Sequence, residues 1–177
     1  MARLQADLLE LRWEPTDLVT LAQRVVTRQQ MTTELHTPAL MSSVGCLVIH
    51  VDPRRMEQVL SNLISSAIKY TPEGGPTEVT VAEDIKRQEA LLSVRDHGIG
   101  IPAQQQAQIF HRFVQADNAR ASGIEGTGLG LYLCRALVGQ HGGRIWCESV
   151  EGQGPIFFIA LPIASPAALR VFDTAMA

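Results

Sequence analysis

Residues 94–131 read VRDHGIGIPAQQQAQIFHRFVQADNARASGIEGTGLGL, and this stretch holds the densest chemistry in the chain. An apolar run ends in Asp96, and Gly98 and Gly100 follow at once. After a polar segment, Gly126-Thr127-Gly128-Leu129-Gly130 opens onto an apolar run. Glycine lets backbone approach a ligand closely and adopt positive φ. A glycine cluster before a helix also offers free N–H groups to an anion. One acid beside two such loops suits a ligand with a polar ring at one end and phosphates at the other. Eleven of the 14 glycines fall within 98–154, which concentrates them at a site rather than in scattered turns.

A second constellation is Asn62, Ser66, Lys69 and Tyr70. Their spacing of i, i+4, i+7 and i+8 puts them on one helical face. An amide and a hydroxyl can hold Mg²⁺ through oxygen, and an ammonium can meet phosphate. Asp96 can accept from the exocyclic amine of adenine. The glycine pattern is not a dinucleotide fingerprint: it reads GxGxG, with no βαβ unit and no acid about 20 residues on. GxxxxGK[ST] is absent, so P-loop chemistry is excluded. His50, His97, His111 and His141 lack metal-ligand spacing.

The elements that must position these groups follow from periodicity and breakers. Residues 3–12 are predicted as the end of an incoming helix, with Leu4, Leu8 and Leu11 on one stripe. Trp13-Glu14-Pro15 breaks it. Thr16 or Asp17 caps a helix to about residue 30. Strands are predicted near 34–40 and 45–51. Asp52-Pro53 starts a helix over 53–70, stopped by Thr71-Pro72-Glu73-Gly74-Gly75. Residues 77–84 and 90–96 form a hairpin around Lys86-Arg87-Gln88. A short helix is expected near 102–110. Residues 114–126 lack an apolar period and read as a mobile lid, with Phe110 and Phe113 as its apolar anchors. Arg120 either reaches phosphate from this lid or is simply solvated. A helix over 127–140 ends at His141-Gly142-Gly143, and strands over 143–149 and 155–161 close the fold. The class is α/β, a two-layer sandwich: a mixed, roughly five-stranded sheet backed by three main helices.

The chain has 177 residues, enough for one domain with a substantial core. It is 46% apolar and 19% charged with a net charge of −3, and no dense basic stripe supports a nucleic-acid surface. No apolar run reaches the roughly 20 residues of a membrane helix. The amphipathic, acidic N-terminus is not a signal peptide, and a cytoplasmic location is expected. Cys46, Cys134 and Cys147 lie in apolar stretches without CxxC spacing and read as buried free thiols.

Taken together, these stretches closely resemble the catalytic ATP-binding domain of bacterial sensor histidine kinases, in the superfamily shared with DNA gyrase, MutL and a heat-shock chaperone. The boxes run in order across about 52–162: Asn62–Pro72, Asp96–Pro102, Ile109–Phe113, Gly126–Leu131, His141–Trp146 and Gly152-Gln153-Gly154. The resemblance implies ATP and Mg²⁺ as cofactors, and a domain over 15–163 between a helical linker (1–14) and a tail (164–177). It implies Asn62 and Lys69 as catalytic and Asn62 and Ser66 as magnesium ligands. The nucleotide would be held by these with Tyr70, Asp96, Gly98, Gly100, Ile101, Phe113, Arg120 and Gly126-Thr127-Gly128-Leu129-Gly130. The implied partners are a histidine phosphoacceptor and dimerisation domain and, through it, a response regulator. The isolated domain is expected to be monomeric.

Two positions depart from the family pattern. Ser66 stands where a second asparagine is usual, and Pro155-Ile156-Phe157 replaces Ser-Thr-Phe, removing a hydroxyl near the adenine pocket. They leave open a nucleotide-binding regulatory module with weak transfer. A gyrase-type ATPase clamp is disfavoured, because Asn62 stands where those relatives carry a glutamate base. A serine kinase on the same fold stays open. Glu34-Leu35-His36-Thr37-Pro38 is superficially similar to the family's phosphoacceptor segment. Thr33 occupies the acceptor position, and about 15 residues to the next helix leave no room for a helical hairpin.

Overall fold

The computed structural model describes residues 10–163. The chain enters through strand β1 (Glu14–Asp17) into helix α1 (Leu18–Gln30). Asp17 caps α1, accepting from the N–H groups of Val19 and Thr20, and it also accepts from Leu47 N. The Thr20 hydroxyl, 2.5 Å away, and the backbone donors hold the Asp17 carboxyl down at about 2. Strands β2 (His36–Ser42) and β3 (Val48–Val51) lead to helix α2 (Pro53–Lys69). Asp52 caps α2 through Arg54 N and Arg55 N, and Pro53 occupies the first turn, where no partner for its nitrogen is needed. The hairpin β4 (Gly75–Asp84) and β5 (Glu89–Arg95) follows. After two 3₁₀ turns, at Ala103–Gln105 and Gln108–Phe110, come α3 (Asp117–Ala121), α4 (Gly130–Gln140), β6 (Arg144–Val150) and β7 (Gly154–Pro162).

The main sheet has five strands in the order β2-β4-β5-β7-β6. Only β2 and β4 run parallel, joined by a crossover through β3 and α2; the other pairs are antiparallel. Period-two alternation puts Val79 and Val81 of β4, and Ala90, Leu92 and Val94 of β5, on the buried face. Against them pack Leu21 and Val25 of α1, Leu63 and Ile64 of α2, and Leu137 of α4. This is the expected mixed sandwich.

Five local expectations are corrected. Trp13-Glu14-Pro15 does not simply break the chain: Glu14–Asp17 pairs with Val48–Val51 in a separate two-stranded ribbon. Pro15 is compatible with such a short edge strand. Residues 1–9 of the incoming helix lie outside the described residues, and 10–13 have no regular structure. The lid carries a short helix, α3, because Ala116 and Ala119 at i, i+3 are both buried; alanines give too weak an apolar signal to show a period. The last helix begins at Gly130 rather than 127, since Gly128 takes φ +66°. Of the thiols, Cys134 is buried, Cys147 half-buried and Cys46 exposed, against the expectation of three buried thiols. The 164–177 tail lies outside the described residues. Glu34–Pro38 runs into edge strand β2, so it forms no helical hairpin.

Candidate nucleotide site

A cavity opens between the C-terminal end of α2, the loop after β5, and the segment 109–131. Its deep end is apolar, walled by Ile99, Ile101, Ile109, Leu131 and Phe157, with one acid, Asp96, in its floor. Asp96 is 2% exposed. Its Oδ1 accepts from Gly98 N at 2.9 Å and the Thr71 hydroxyl at 3.4 Å, and Oδ2 accepts no hydrogen bond among the described residues. Burial pushes its pKa up to about 6, against the downward pull of those two donors. A buried carboxylate with one open oxygen beside an apolar slot can read an amine on a flat heterocycle.

The Asp96–Ile101 loop is clamped from both sides. Ile99 N donates to Tyr70 O and Gly152 N donates to Ile99 O. The clamp requires glycine. A Cβ on Gly98 would lie 2.0 Å from Tyr70 O, and one on Gly154 would lie 2.1 Å from Asp96 O. These two glycines therefore serve chain–chain approach rather than ligand approach. Farther along, Ile101 N donates to the Ser149 hydroxyl, and Gln106 ties Ile101 O to Ser149 O.

The other end of the cavity is polar. Ser66, Lys69 and Tyr70 face it from α2, and Gly126, Thr127, Gly128 and Gly130 from the far wall. A Cβ on Gly126 would come within 3.0 Å of Lys69 Nζ, so this glycine leaves room around the ammonium. Gln115 spans the opening, donating to Ile124 O at 2.8 Å and Tyr70 Oη at 3.3 Å. Asn118 donates to Gly100 O at 2.9 Å, and Gln105 brackets Asp117 at the start of α3. These side chains dock the 114–126 segment over the cavity. Nothing in their types or spacing marks them in the sequence, since each is one polar residue in a polar run.

Ser66, Lys69, Tyr70, Asp96, Gly100, Ile101, Gly126, Thr127, Gly128 and Gly130 thus line one cavity. Five expected residues do not: Asn62, Gly98, Phe113, Arg120 and Leu129. Gly98 packs against Tyr70 O and the Thr71 hydroxyl. Asn62 is one turn behind Ser66 on α2, half-buried and outside the cavity lining. Arg120 is exposed on α3. Phe110 is buried against Phe157, as an anchor should be, but Phe113 is 69% exposed at φ +63°. Its N–H donates to Gly128 O, which holds the strained backbone in place. Ile156 alternates away from Pro155 and Phe157, which both line the cavity, so its lost hydroxyl would not face the slot.

No group of three or more His, Cys, Asp or Glu able to hold a metal occurs among the described residues. Ser66 offers a neutral oxygen in the cavity, and Asn62 the next one along the helix.

Comparison with known proteins bears on this geometry. Residues 51–165 match the family described as "Histidine kinase-, DNA gyrase B-, and HSP90-like ATPase". The chain belongs to that family. It is an ATP-binding catalytic domain of the sensor histidine kinase type. It is 38% identical over 175 residues to the sensor histidine kinase WalK of Bacillus subtilis (strain 168), covering 92% of this chain and 28% of that protein. The chain therefore spans under a third of that relative. Among solved structures it is similar to full-length ShkA in complex with AMPPNP, with TM-score 0.75 and 29% identity over 89% of this chain and 32% of that one. It is also similar to the catalytic domain of histidine kinase ThkA, with TM-score 0.73 and 28% identity over 86% of this chain and 99% of that one. No helix among the described residues is long and apolar enough to cross a membrane.

Proposed function

We propose that this domain, over residues 15–163, holds ATP with adenine at Asp96 and its phosphates toward Lys69 and Gly126–Gly130. From there the γ-phosphoryl group passes to a histidine on a separate phosphoacceptor domain, which then serves a response regulator. The observation that carries this reading is the single cavity with a buried acid at its apolar end and Lys69 beside glycines at its polar end. Asp96 Oδ2 accepts from the exocyclic amine of adenine while Ile99, Ile101 and Phe157 exclude water from the ring. Lys69 neutralises phosphate charge, and the N–H groups at the start of α4 face the same anion. Ser66, with Asn62 behind it, would hold Mg²⁺, which would supply charge neutralisation at the phosphates when bound. The acceptor imidazole nitrogen attacks the γ-phosphorus in line, the bond to the bridging oxygen breaks, and ADP leaves. The domain's part is positioning and charge neutralisation.

The exposed, strained Phe113 beside this opening fits a contact with the incoming acceptor domain better than a contact with nucleotide. The supporting experiment is incubation with γ-labelled ATP, with and without a histidine phosphoacceptor domain from a WalK-type kinase. Acid-labile label is expected on the acceptor domain alone. Label on His36 of this chain, or tight ATP binding with no transfer to any acceptor, would overturn the transferase reading; the latter would leave a nucleotide-binding regulatory module.

A further inference from the structure

We infer that His36 is a positioning residue for base selection, acting on Asp96 through Thr71. His36 lies on edge strand β2, away from the cavity, yet it is only 5% exposed. Its Nε2 is 2.8 Å from Thr71 O. A carbonyl only accepts, so Nε2 carries the hydrogen and donates. Nδ1 is 2.8 Å from the Thr33 hydroxyl, which fixes the ring from its other side. Thr71 is also 5% exposed, and its hydroxyl donates to Asp96 Oδ1. Three buried residues are thus linked in series, the His36 ring to the main chain of Thr71 and the Thr71 hydroxyl to Asp96, from the sheet edge to the floor of the cavity.

Thr71 is the hub. Its carbonyl accepts from both His36 and Gly74 N, its N–H donates to Ile68 O, and its hydroxyl reaches Asp96. Four connections leave the residue one orientation. The consequence falls on the carboxylate: with Oδ1 occupied by Thr71 and Gly98 N, Oδ2 is the oxygen left for the base. An acceptor held there favours an amino group and opposes a carbonyl. His36 therefore tightens discrimination between a 6-amino and a 6-oxo purine, rather than raising affinity for the phosphates. Glycine packing supports the same geometry, since a Cβ on Gly98 would also lie 2.7 Å from the Thr71 hydroxyl.

This inference rests on Asp96 reading the base, and the test separates the two. Affinities for ATP and for ITP, whose purine carries a 6-oxo group, are measured by calorimetry on the whole chain. His36→Leu and Thr71→Val are each expected to lower the ATP-to-ITP ratio about three- to tenfold. His36→Gln keeps a donor near the Nε2 position and should restore most of it. In a double-mutant cycle the two losses should be strongly non-additive, because both cut one path. Thr33→Val, at a half-buried position, provides a milder cut if His36→Leu fails to fold. An unchanged ratio with a lowered Tm would reduce His36 to a structural role and overturn the inference. So would additive losses in the cycle. If Asp96→Ala leaves the ratio unchanged, the base-reading assignment itself fails, independently of His36.

Discussion

The two ends of the cavity are built differently. At the apolar end Asp96 is buried, its loop is clamped between Tyr70 O and the β6–β7 turn, and its donors are in place. At the polar end Lys69 is exposed, and the covering segment is held by single side chains such as Gln115 and Asn118. The first end is organised before a ligand arrives. The second is closed only by these few side-chain contacts. A cavity arranged this way is firm at the apolar end and freer to open at the polar end, because buried contacts are costly to break and exposed ones are not.

The largest effect should come from breaking the rigid end. Asp96→Ala is expected to weaken ATP binding roughly tenfold to a hundredfold, the cost of one buried charge-assisted hydrogen bond of about 1.5–3 kcal/mol. Calorimetric titration measures it, and equal affinity in both proteins removes Asp96 from the site.

The same carboxyl makes the contrast pH-dependent. Its folded-state pKa of about 6 lies above its ordinary value of 3.8, so in that window the folded state holds more protons than the unfolded one. Stability of the nucleotide-free protein due to this group therefore falls as pH rises from about 4 to about 6, then stays level. Asp96→Asn should remove this dependence and stabilise the apo protein above pH 6 by on the order of 2 kcal/mol. ATP affinity should move oppositely, rising through the same window as the carboxylate forms. Urea denaturation of both proteins at several pH values is the check; identical pH profiles would show that Asp96 does not titrate there.

At the open end the changes should be smaller. Phe113 sits at φ +63° with little packing to lose, so Phe113→Gly should raise stability by up to about 1 kcal/mol. ATP affinity should stay put while transfer to a supplied acceptor domain drops. A large loss of nucleotide affinity would place the ring over the ligand after all.

Ser66→Asn should have the smallest effect, about two- to fivefold tighter binding of Mg²⁺-ATP, because a longer amide oxygen suits the octahedral demands of magnesium better than a hydroxyl. ATP affinity with and without Mg²⁺ is the measurement. The same magnesium dependence in wild type, Ser66→Asn and Ser66→Ala would mark Ser66 as a bystander.

What the sequence revealed also divides along the two ends. Asp96, the α2 face and the glycine boxes were legible because each residue type has few other reasons to occur at that spacing. Ser66, Lys69 and Tyr70 do converge on the cavity, as one helical face must. Asn62 belongs to that face by spacing, yet it sits one turn farther back along α2 than the cavity reaches, and spacing alone does not show where along a helix a cavity ends. Phe113 was misplaced because its direction is set by a backbone twist, and φ is not written in a Phe-Val pair. The β1–β3 ribbon joins residues that are about 35 positions apart, with four-residue strands too short to announce themselves. The His36–Thr71–Asp96 series was invisible for the same reason: it is assembled by strand order, across 35 and then 25 residues.

The clamp on the Asp96 loop has a consequence for inheritance. Every missense change at a glycine codon adds at least a β-carbon. At Gly98 and Gly154 that atom would overlap a main-chain oxygen, and no partner side chain can be altered to make room. These two codons are closed to drift, and saturation mutagenesis should return them as all-or-nothing positions. Gly45 and Gly139, where a β-carbon would meet nothing within 4 Å, are open to it. This domain can therefore change at such open positions while the floor of the cavity at Asp96 stays as it is.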